Sequence, residues 1–243
     1  RFFLSVGKSQ SEDYIFVSLD SAITSEVHII DLRSPQHSPK LFAKRKDGVE
    51  YSISHWNEEF LILTNDGAQN FKLLRTPKDQ WAPESWSDFI PESDDTLQAV
   101  LPFRDFFALY RRHDGLPEIV IYEPNGEELA AHVIEVADAT WDLWPSANMM
   151  YETDVFRYGY TSMTTPVSTL EISLTSKEST LLKRRPAPGY DPALYTSSRV
   201  WATSEDGTKI PISIFHKKDR KATPGPFLLY GYGSYGASYD VYY

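Results

Sequence analysis

The sequence predicts a mainly β protein, in which about four blades of a β-propeller are followed by the first strands of an α/β domain. Short segments rich in β-branched and aromatic residues, separated by turn residues, fill the chain up to about residue 185. These segments recur in groups of four, which is typical of propeller blades. A proline-rich break then precedes a hairpin pattern and a glycine-rich stretch, which together indicate a second domain.

The predicted strands form four consecutive groups. The first group covers residues 2–6, 14–19, 26–32 and 40–43, and the second covers 51–55, 60–64, 70–75 and 86–90. The third group covers 97–103, 106–111, 118–122 and 129–134. The fourth covers 139–143, 149–151, 156–160, 168–173 and 179–183. Dipeptides that favour tight turns, such as Asp66-Gly67 and Asp114-Gly115, separate several neighbouring segments.

The third strands of the four groups align with one another. They begin at Glu26, Asn70, Glu118 and Thr169, which are 44, 48 and 51 residues apart. A β-sandwich also has many short strands but does not repeat in fours, so this period favours a propeller. Four blades are too few for most closed rings, and each blade buries its faces against its neighbours. We therefore expect further blades upstream of residue 1.

A change of composition marks the end of the repeat. Residues 183–189 read Lys-Arg-Arg-Pro-Ala-Pro-Gly, which is typical of an inter-domain linker. Beyond it, residues 199–203 and 209–216 flank Asp206-Gly207, a dipeptide that favours a β-hairpin. We therefore predict a propeller over residues 1–187 and the start of a second domain over residues 188–243.

The most informative stretch lies near the end of the chain. Residues 227–230, Phe-Leu-Leu-Tyr, form an apolar run behind a proline and predict a buried strand of an α/β sheet. Glycines at positions 231, 233 and 236 follow. Glycine-rich turns at the carboxyl ends of such strands hold ligand and catalytic groups in α/β proteins. Because helices and further strands should complete this sheet, we expect the chain to be an internal piece of a longer protein.

Composition limits the range of partners. The chain has 243 residues and a net charge of -10, which argues against nucleic acid as a partner. It contains no cysteine, so disulfides and thiolate metal sites are excluded, and a reducing, cytoplasmic location is favoured. No apolar run approaches the roughly 20 residues that span a membrane. The histidines lack metal-binding spacing, so we expect no metal and no cofactor. They are His28, His37, His55, His113, His132 and His216.

Residues 226–240 resemble the first hydrolase-domain strand of the prolyl oligopeptidase family. Within them, residues 230–236 read Tyr-Gly-Tyr-Gly-Ser-Tyr-Gly. The Ser-Tyr pair at 234–235 resembles the oligopeptidase B branch, because the prolyl-specific branch typically has Gly-Phe there. Matching segments elsewhere extend the resemblance over nearly the whole chain. They are residues 25–31, 45–47, 158–166, 188–191 and 206–211.

The resemblance implies a seven-bladed propeller that caps an α/β-hydrolase domain. It also implies a serine endopeptidase that cleaves short peptides after Arg or Lys, with the propeller restricting the size of the substrate. The partners would then be short peptides, together with the remaining blades and the catalytic domain of the same protein.

Part of the catalytic machinery is expected outside this chain. A Gly-x-Ser-x-Gly motif would mark the nucleophile of an α/β-hydrolase, and the chain has none. The nearest match surrounds Ser238 but has Asp240 in place of the last glycine, so we do not assign Ser238 as the nucleophile. By resemblance, the serine, acid and histidine of the triad lie downstream. This chain alone should be inactive.

By resemblance, two residues of the site remain in the chain. Tyr232 matches the tyrosine whose hydroxyl helps to stabilise the oxyanion, and Tyr235 matches a position that lines the first specificity pocket. The residues alone favour a Tyr232 that packs beneath a glycine-rich turn, and the resemblance favours the oxyanion role instead.

Two alternative functions stay open. One is a prolyl-specific oligopeptidase, and the other is a propeller binding module with an inactive hydrolase domain. A cluster of large side chains in the fourth group could line a ligand groove, but we interpret it as blade packing. Its members are Trp141, Trp144, Met149 and Met150.

Overall fold

A computed structural model describes residues 1–126, 128–220, 225–234 and 237–243 of the chain. Within these residues it contains eighteen strands, two short 3-10 helices (Pro83–Ser85 and Pro192–Leu194) and no α-helix. Sixteen of the strands form four four-stranded sheets, in which neighbouring strands are bonded in chain order. These sheets are the blades of a β-propeller, as the sequence predicted.

The strands are numbered along the chain. Blade 1 contains β1 (Phe3–Lys8), β2 (Tyr14–Asp20), β3 (Ser25–Asp31) and β4 (Lys40–Leu41). Blade 2 contains β5 (Tyr51–Trp56), β6 (Glu59–Thr64), β7 (Lys72–Pro77) and β8 (Ser87–Ile90). Blade 3 contains β9 (Thr96–Pro102), β10 (Phe107–His113), β11 (Leu116–Asn125) and β12 (Glu128–Val133). Blade 4 contains β13 (Trp141–Pro145), β14 (Val155–Ser162), β15 (Ser168–Ser173) and β16 (Ser179–Arg184). A separate two-stranded sheet contains β17 (Tyr195–Thr203) and β18 (Lys209–Lys217).

The chain divides into two compact units. The first comprises Arg1–Asp114, Glu118–Ile134 and Asn148–Thr153, and it contains blades 1 to 3. The second comprises Gly115–Pro117, Glu135–Ala147 and Asp154–Tyr243, and it contains blade 4 and the β17–β18 hairpin.

The core of the first unit lies between successive blades, and strand β6 contributes to both of its layers. Phe60 and Ile62 of β6 belong to the cluster shared with blade 1, whereas Leu61 and Leu63 belong to the cluster shared with blade 3. Because side chains alternate across a strand, a strand buried on both faces must be apolar at every position. The apolar run from 60 to 63 therefore reflects a strand sandwiched between two neighbouring blades.

The first strand of blade 1 has no such neighbour among the described residues. All six residues of β1 are exposed, including Phe3, Leu4 and Val6. The apolar side chains of a blade are exposed to solvent in this way when no other blade covers its face. The expected upstream blade stays a prediction.

The third strands of the blades begin within two residues of the predicted repeat, and β7 is the one that begins late. Strand β7 begins at Lys72 rather than at Asn70. Phe71 has a φ of 64°, outside the strand region, and the N–H of Asn70 donates to the carboxylate of Glu92. Because of these local contacts, β7 begins two residues later than predicted.

The prediction of a strand at residues 149–151 was wrong. These residues lie in the segment that joins β13 to β14, and the carbonyl of Tyr151 accepts from the N–H of Arg104 in the turn of blade 3. Met149 and Met150 are 83% and 68% exposed, so their assignment to blade packing was also wrong. Trp141 and Trp144 are half-buried.

Blade 4 shows a close approach that requires glycine. Gly159 of β14 pairs with Trp144 of β13, and a Cβ at Gly159 would lie 2.1 Å from the indole ring. The ring therefore occupies the space that any side chain at position 159 would need.

The predicted hairpin is present and longer than expected. Thr203 pairs with Lys209, which leaves a five-residue loop containing Gly207 at a φ of 89°. The carboxylate of Asp206 accepts from the hydroxyl of Ser204 and the N–H of Thr208, which stabilises this loop.

The predicted buried strand at 227–230 was not found. Residues 225–234 form no regular structure, and Phe227 and Leu228 are 79% and 86% exposed. Tyr230, which the pattern also predicted to be buried, is exposed. A strand needs a neighbour for its backbone hydrogen bonds, and none of the strands in the described part of the chain pairs with this segment.

His55 is a buried titratable group between blades 1 and 2. It is 2% exposed, its Nδ1 lies 2.6 Å from the hydroxyl of Ser11, and its ring packs 4.6 Å from that of Tyr14. Its Nε2 has no partner among the described residues. Burial lowers the pKa of His55, although the Asp13 carboxylate partly opposes this effect.

We predict that His55 makes the propeller lose stability in mild acid. Below about pH 6.5 the unfolded chain binds a proton at this histidine, whereas in the folded chain the histidine stays neutral to a lower pH. The free energy of unfolding therefore falls by at most about 1.4 kcal/mol for each unit by which the pH is lowered. Thermal unfolding of wild type and His55→Gln between pH 7.5 and 5.5 should show a smaller decrease in Tm for the variant.

His113 provides the matched control for this titration. Its hydrogen bond to Asp95, 2.7 Å long, raises its pKa, so its contribution is present below about pH 6.5 and is lost as the pH rises. His113→Gln should therefore still show the decrease in stability in acid that is assigned to His55. An equal decrease in Tm between pH 7.5 and 5.5 in wild type and His55→Gln would contradict the assignment to His55.

Candidate functional site

The glycine-rich stretch brings three tyrosines together. The hydroxyls of Tyr230 and Tyr239 lie 2.6 Å apart, and their rings meet edge to face with centroids 4.8 Å apart. The hydrogen bond to Tyr239 raises the pKa of Tyr230. The ring of Tyr232 lies 6.3 Å from that of Tyr239. Tyr239 therefore organises the stretch on which the predicted site residues lie.

Tyr232 has the properties of a donor that is open to a ligand. Its side chain is 52% exposed, and its hydroxyl makes no hydrogen bond within the described residues. Gly231 and Gly233 flank it, and a Cβ at either position would meet open space. A ligand could therefore approach the backbone on both sides of Tyr232.

The other predicted site residues contribute less. Tyr235 lies outside the described residues. Ser238 is exposed and makes no hydrogen bond to a histidine in the described part of the chain. Across the described ranges, no group of three His, Cys, Asp or Glu residues could hold a metal ion, and no helix is long and apolar enough to cross a membrane.

A second cluster of polar groups lies where blade 4 meets the chain that follows it. The carboxylate of Asp138, which precedes β13, accepts from the phenol of Tyr160 on β14. It also accepts from Thr164 Oγ1 at 3.2 Å and from Thr165 Oγ1 at 3.1 Å. We call this set the hydroxyl network. It ties the start of blade 4 to the turn between β14 and β15.

The ionisation of the hydroxyl network follows from its hydrogen bonds. Burial by itself raises the pKa of Asp138, but the donated hydroxyls of Tyr160, Ser162, Thr165 and Thr164 together hold it below its usual range. Burial and the neighbouring carboxylate raise the pKa of Tyr160. At neutral pH the network is therefore one carboxylate surrounded by neutral donors.

The network reaches the chain after the blade through Tyr190. The hydroxyl of Tyr190 donates to the carbonyl of Thr164 at 2.9 Å. Its ring stacks on Tyr195 at 5.3 Å and meets Tyr243 edge to face at 5.1 Å. Tyr195 in turn stacks on Phe215 of β18. One aromatic column thus connects the turn of blade 4 to the β17–β18 hairpin.

A pocket of about 430 Å³ lies beside this column, along the linker. Its lining combines three prolines with two arginines, a tyrosine and two threonine hydroxyls already engaged with Asp138. The residues are Thr164, Thr165, Pro166, Arg184, Arg185, Pro186, Ala187, Tyr190 and Pro192.

The sequence around Asp138 and Tyr190 does not indicate a role for either residue. Four of the five residues from 161 to 165 carry a hydroxyl group, and this is the signal in the sequence that could have indicated a nearby acceptor. So many donors beside a blade require an acceptor. The acceptor lies more than twenty residues earlier in the chain, so only the folded blade reveals the pairing.

We predict that Asp138→Asn destabilises the protein by about 1–3 kcal/mol, because the amide replaces a charged acceptor of several hydroxyls. Urea unfolding at pH 7 measures this loss. The exposed Asp88→Asn should change the stability by less than about 0.5 kcal/mol.

The pH dependence of the Asp138→Asn effect provides a second check. A carboxyl whose folded pKa is lowered stabilises the protein above about pH 3.9 and loses this contribution as the pH falls. The difference in the free energy of unfolding between wild type and Asp138→Asn should therefore become smaller in acid. A difference independent of pH would contradict the role of the charge.

Comparison with known proteins assigns most of the chain to one family. Residues 1–185 match the family model described as "Prolyl oligopeptidase, N-terminal beta-propeller domain". The chain is 35% identical over 246 residues to dipeptidyl aminopeptidase BI of Pseudoxanthomonas mexicana, covering 98% of this chain and 33% of that relative. It is 35% identical over 247 residues to protease 2 of Moraxella lacunata, covering 98% of this chain and 34% of that relative. The chain thus spans about a third of the length of these curated relatives.

Solved structures show the same similarity. Oligopeptidase B from Leishmania major superimposes with a TM-score of 0.89 at 29% identity, covering 98% of this chain and 35% of that one. Oligopeptidase B from Trypanosoma brucei with covalently bound antipain, in a closed form, gives the same values. With the family model covering three quarters of the sequence, this chain belongs to the prolyl oligopeptidase family.

Proposed function

We propose that this chain is the second half of the propeller and the beginning of the α/β-hydrolase domain of a serine-type oligopeptidase that cleaves short peptides after Arg or Lys. The observation that carries the proposal is the family match over residues 1–185, followed by a glycine-rich stretch in which the Tyr232 hydroxyl makes no hydrogen bond to any described residue. The nucleophile, acid and histidine then belong to the part of the protein outside this chain, and the chain by itself is inactive.

The proposed boundary between the domains lies at residues 187–188. The family match ends at 185, shortly after the last strand of blade 4. The β17–β18 hairpin and the exposed apolar residues of 227–230 follow. We expect this segment to become a buried strand once the remaining strands of the hydrolase sheet pair with it.

Tyr232 is the proposed oxyanion donor. A tetrahedral intermediate of acyl transfer carries a negative oxygen, and a fixed phenol O–H directed at that oxygen lowers the barrier. The flanking glycines leave room for the substrate beside the hydroxyl. Tyr235 is the proposed lining of the first specificity pocket.

The substrate class follows from the relatives and from charge. Two of the similar solved structures are named oligopeptidase B, and the resemblance at 234–235 is to that branch. The net charge of -10 suits positively charged peptides. The propeller would exclude folded proteins, because only thin, flexible chains could pass it. A cytoplasmic location is consistent with the absence of cysteine.

One relative suggests a second candidate activity. The relative named dipeptidyl aminopeptidase BI is as similar to this chain as protease 2 is. Its name describes the release of dipeptides from a free amino terminus. The two activities differ in whether a blocked amino terminus prevents cleavage.

Assays on the full-length protein test the proposed activity. Peptides that differ only at the residue before the cleaved bond should be hydrolysed when it is Arg or Lys and not when it is Pro. A covalent serine-directed inhibitor should abolish turnover. Preference for Pro would favour the prolyl-specific alternative, and no turnover at all would favour an inactive binding module. Loss of cleavage upon blocking the amino terminus would favour the dipeptidyl activity.

We predict that Tyr232→Phe in the full-length protein lowers kcat by about 10²–10³-fold with little change in KM, because the lost hydroxyl acts only in the transition state. Steady-state kinetics on an arginyl reporter measures the effect. Tyr230→Phe removes a neighbouring hydroxyl bonded to Tyr239 and should stay near wild type. Similar losses in both variants would indicate a general disturbance of the stretch.

A further inference from the structure

The segment Asn148–Thr153, here called the strap, lies apart from the strands that it joins. It connects β13 to β14, yet it belongs to the compact unit that contains blades 1 to 3. It is bonded to one turn of each of these blades. The three turns join the first strand of a blade to its second strand.

The bonds of the strap are specific. The carbonyl of Asn148 accepts from Gln10 Nε2 in the β1–β2 turn at 2.7 Å. The hydroxyl of Tyr151 contacts Asn57 in the β5–β6 turn, accepting from its N–H at 3.2 Å and donating to its Oδ1 at 3.1 Å. These contacts hold the strap on blades 1 and 2.

Arg104 in the β9–β10 turn completes the attachment. Its N–H donates to the carbonyl of Tyr151 at 3.0 Å, and its guanidinium lies 2.9 Å from the carboxylate of Glu152. The carbonyl of Arg104 also accepts from Asn57 Nδ2, which connects the turns of blades 2 and 3. Burial raises the pKa of Tyr151, so its phenol stays protonated and able to donate.

The position of these turns defines what the strap covers. The first strands of blades 2 and 3, β5 and β9, approach each other. In a propeller the converging strands surround the central channel. Turns that join first to second strands all lie at one end of this channel. The strap therefore runs across the inner turns of three successive blades at that end.

The strap presents two large apolar side chains to solvent. Met149 and Met150 are 83% and 68% exposed, although the residues on either side of them are bonded to the blades. Methionine is long, flexible and adaptable, which suits an element that must yield to varied peptides. Two exposed apolar side chains on a segment whose flanking residues are bonded to the blades indicate an interaction role rather than packing.

We propose that the strap sets the upper size limit of the peptide substrates, with Met149 and Met150 narrowing the opening of the propeller at this end. This inference rests on the proposed peptidase function. Peptides reach the catalytic domain past the strap, and a longer or bulkier chain is excluded by the methionine side chains. Arg104, Asn57 and Gln10 keep the strap in place.

The test uses the full-length protein and two substrates with the same arginyl cleavage site, on the order of 10 and 30 residues long. Met149→Ala combined with Met150→Ala should raise the ratio of kcat/KM for the long peptide to that for the short one by about tenfold. Glu152→Gln weakens the attachment to Arg104 without changing the methionines, and it should raise the same ratio by a smaller factor.

Ile23→Ala provides the matched control. Ile23 is an exposed apolar residue in the β2–β3 turn, at the opposite end of blade 1. Its removal should leave the ratio at the wild-type value. An unchanged ratio in both strap variants, or an equal increase in Ile23→Ala, would overturn the proposal. Cleavage of the short peptide by wild type reports the peptidase function separately, and its absence would refute both that function and the role of the strap.

Discussion

The burial of each blade face against the next blade is the interaction on which the first unit depends. Strand β6 shows it most clearly, because Phe60 and Ile62 pack toward blade 1 while Leu61 and Leu63 pack toward blade 3. The burial of a large apolar side chain contributes roughly 1.5–3 kcal/mol. No single blade could retain that contribution, since one of its apolar faces would remain in water.

The strap depends on this stacking. Stacked blades bring the turns that carry Gln10, Asn57 and Arg104 close enough for one six-residue strap to reach all three. In the second unit, blade 4 brings Asp138 to the hydroxyls that follow β14, and Tyr190 continues this set of contacts into the β17–β18 hairpin. The strap and the hydroxyl network are therefore both built on hydrogen bonds between groups that are distant in the sequence.

The prediction from sequence succeeded where local pattern and burial agree. The third strands were found because their apolar residues repeat with the period of the blade, and the hairpin was found because Asp206-Gly207 favours a turn. It was wrong at 149–151, where an apolar, aromatic segment has a strand-like composition but is bonded through Tyr151 to the turns that carry Asn57 and Arg104. It was also wrong at 227–230, whose composition is that of a buried strand but which has no paired neighbour among the described strands.

The sequence by itself determined the class of the fold, the period of the blades, the linker composition and the glycine-flanked Tyr232, because these follow from short-range periodicity and turn chemistry. Only the tertiary structure revealed the acceptor of the hydroxyl network, the burial of His55 and the course of the strap. The physical reason is that each of these depends on groups distant in sequence, such as Tyr151 and Asn57, 94 residues apart. No local pattern encodes such a pairing, since it exists only once neighbouring blades have packed.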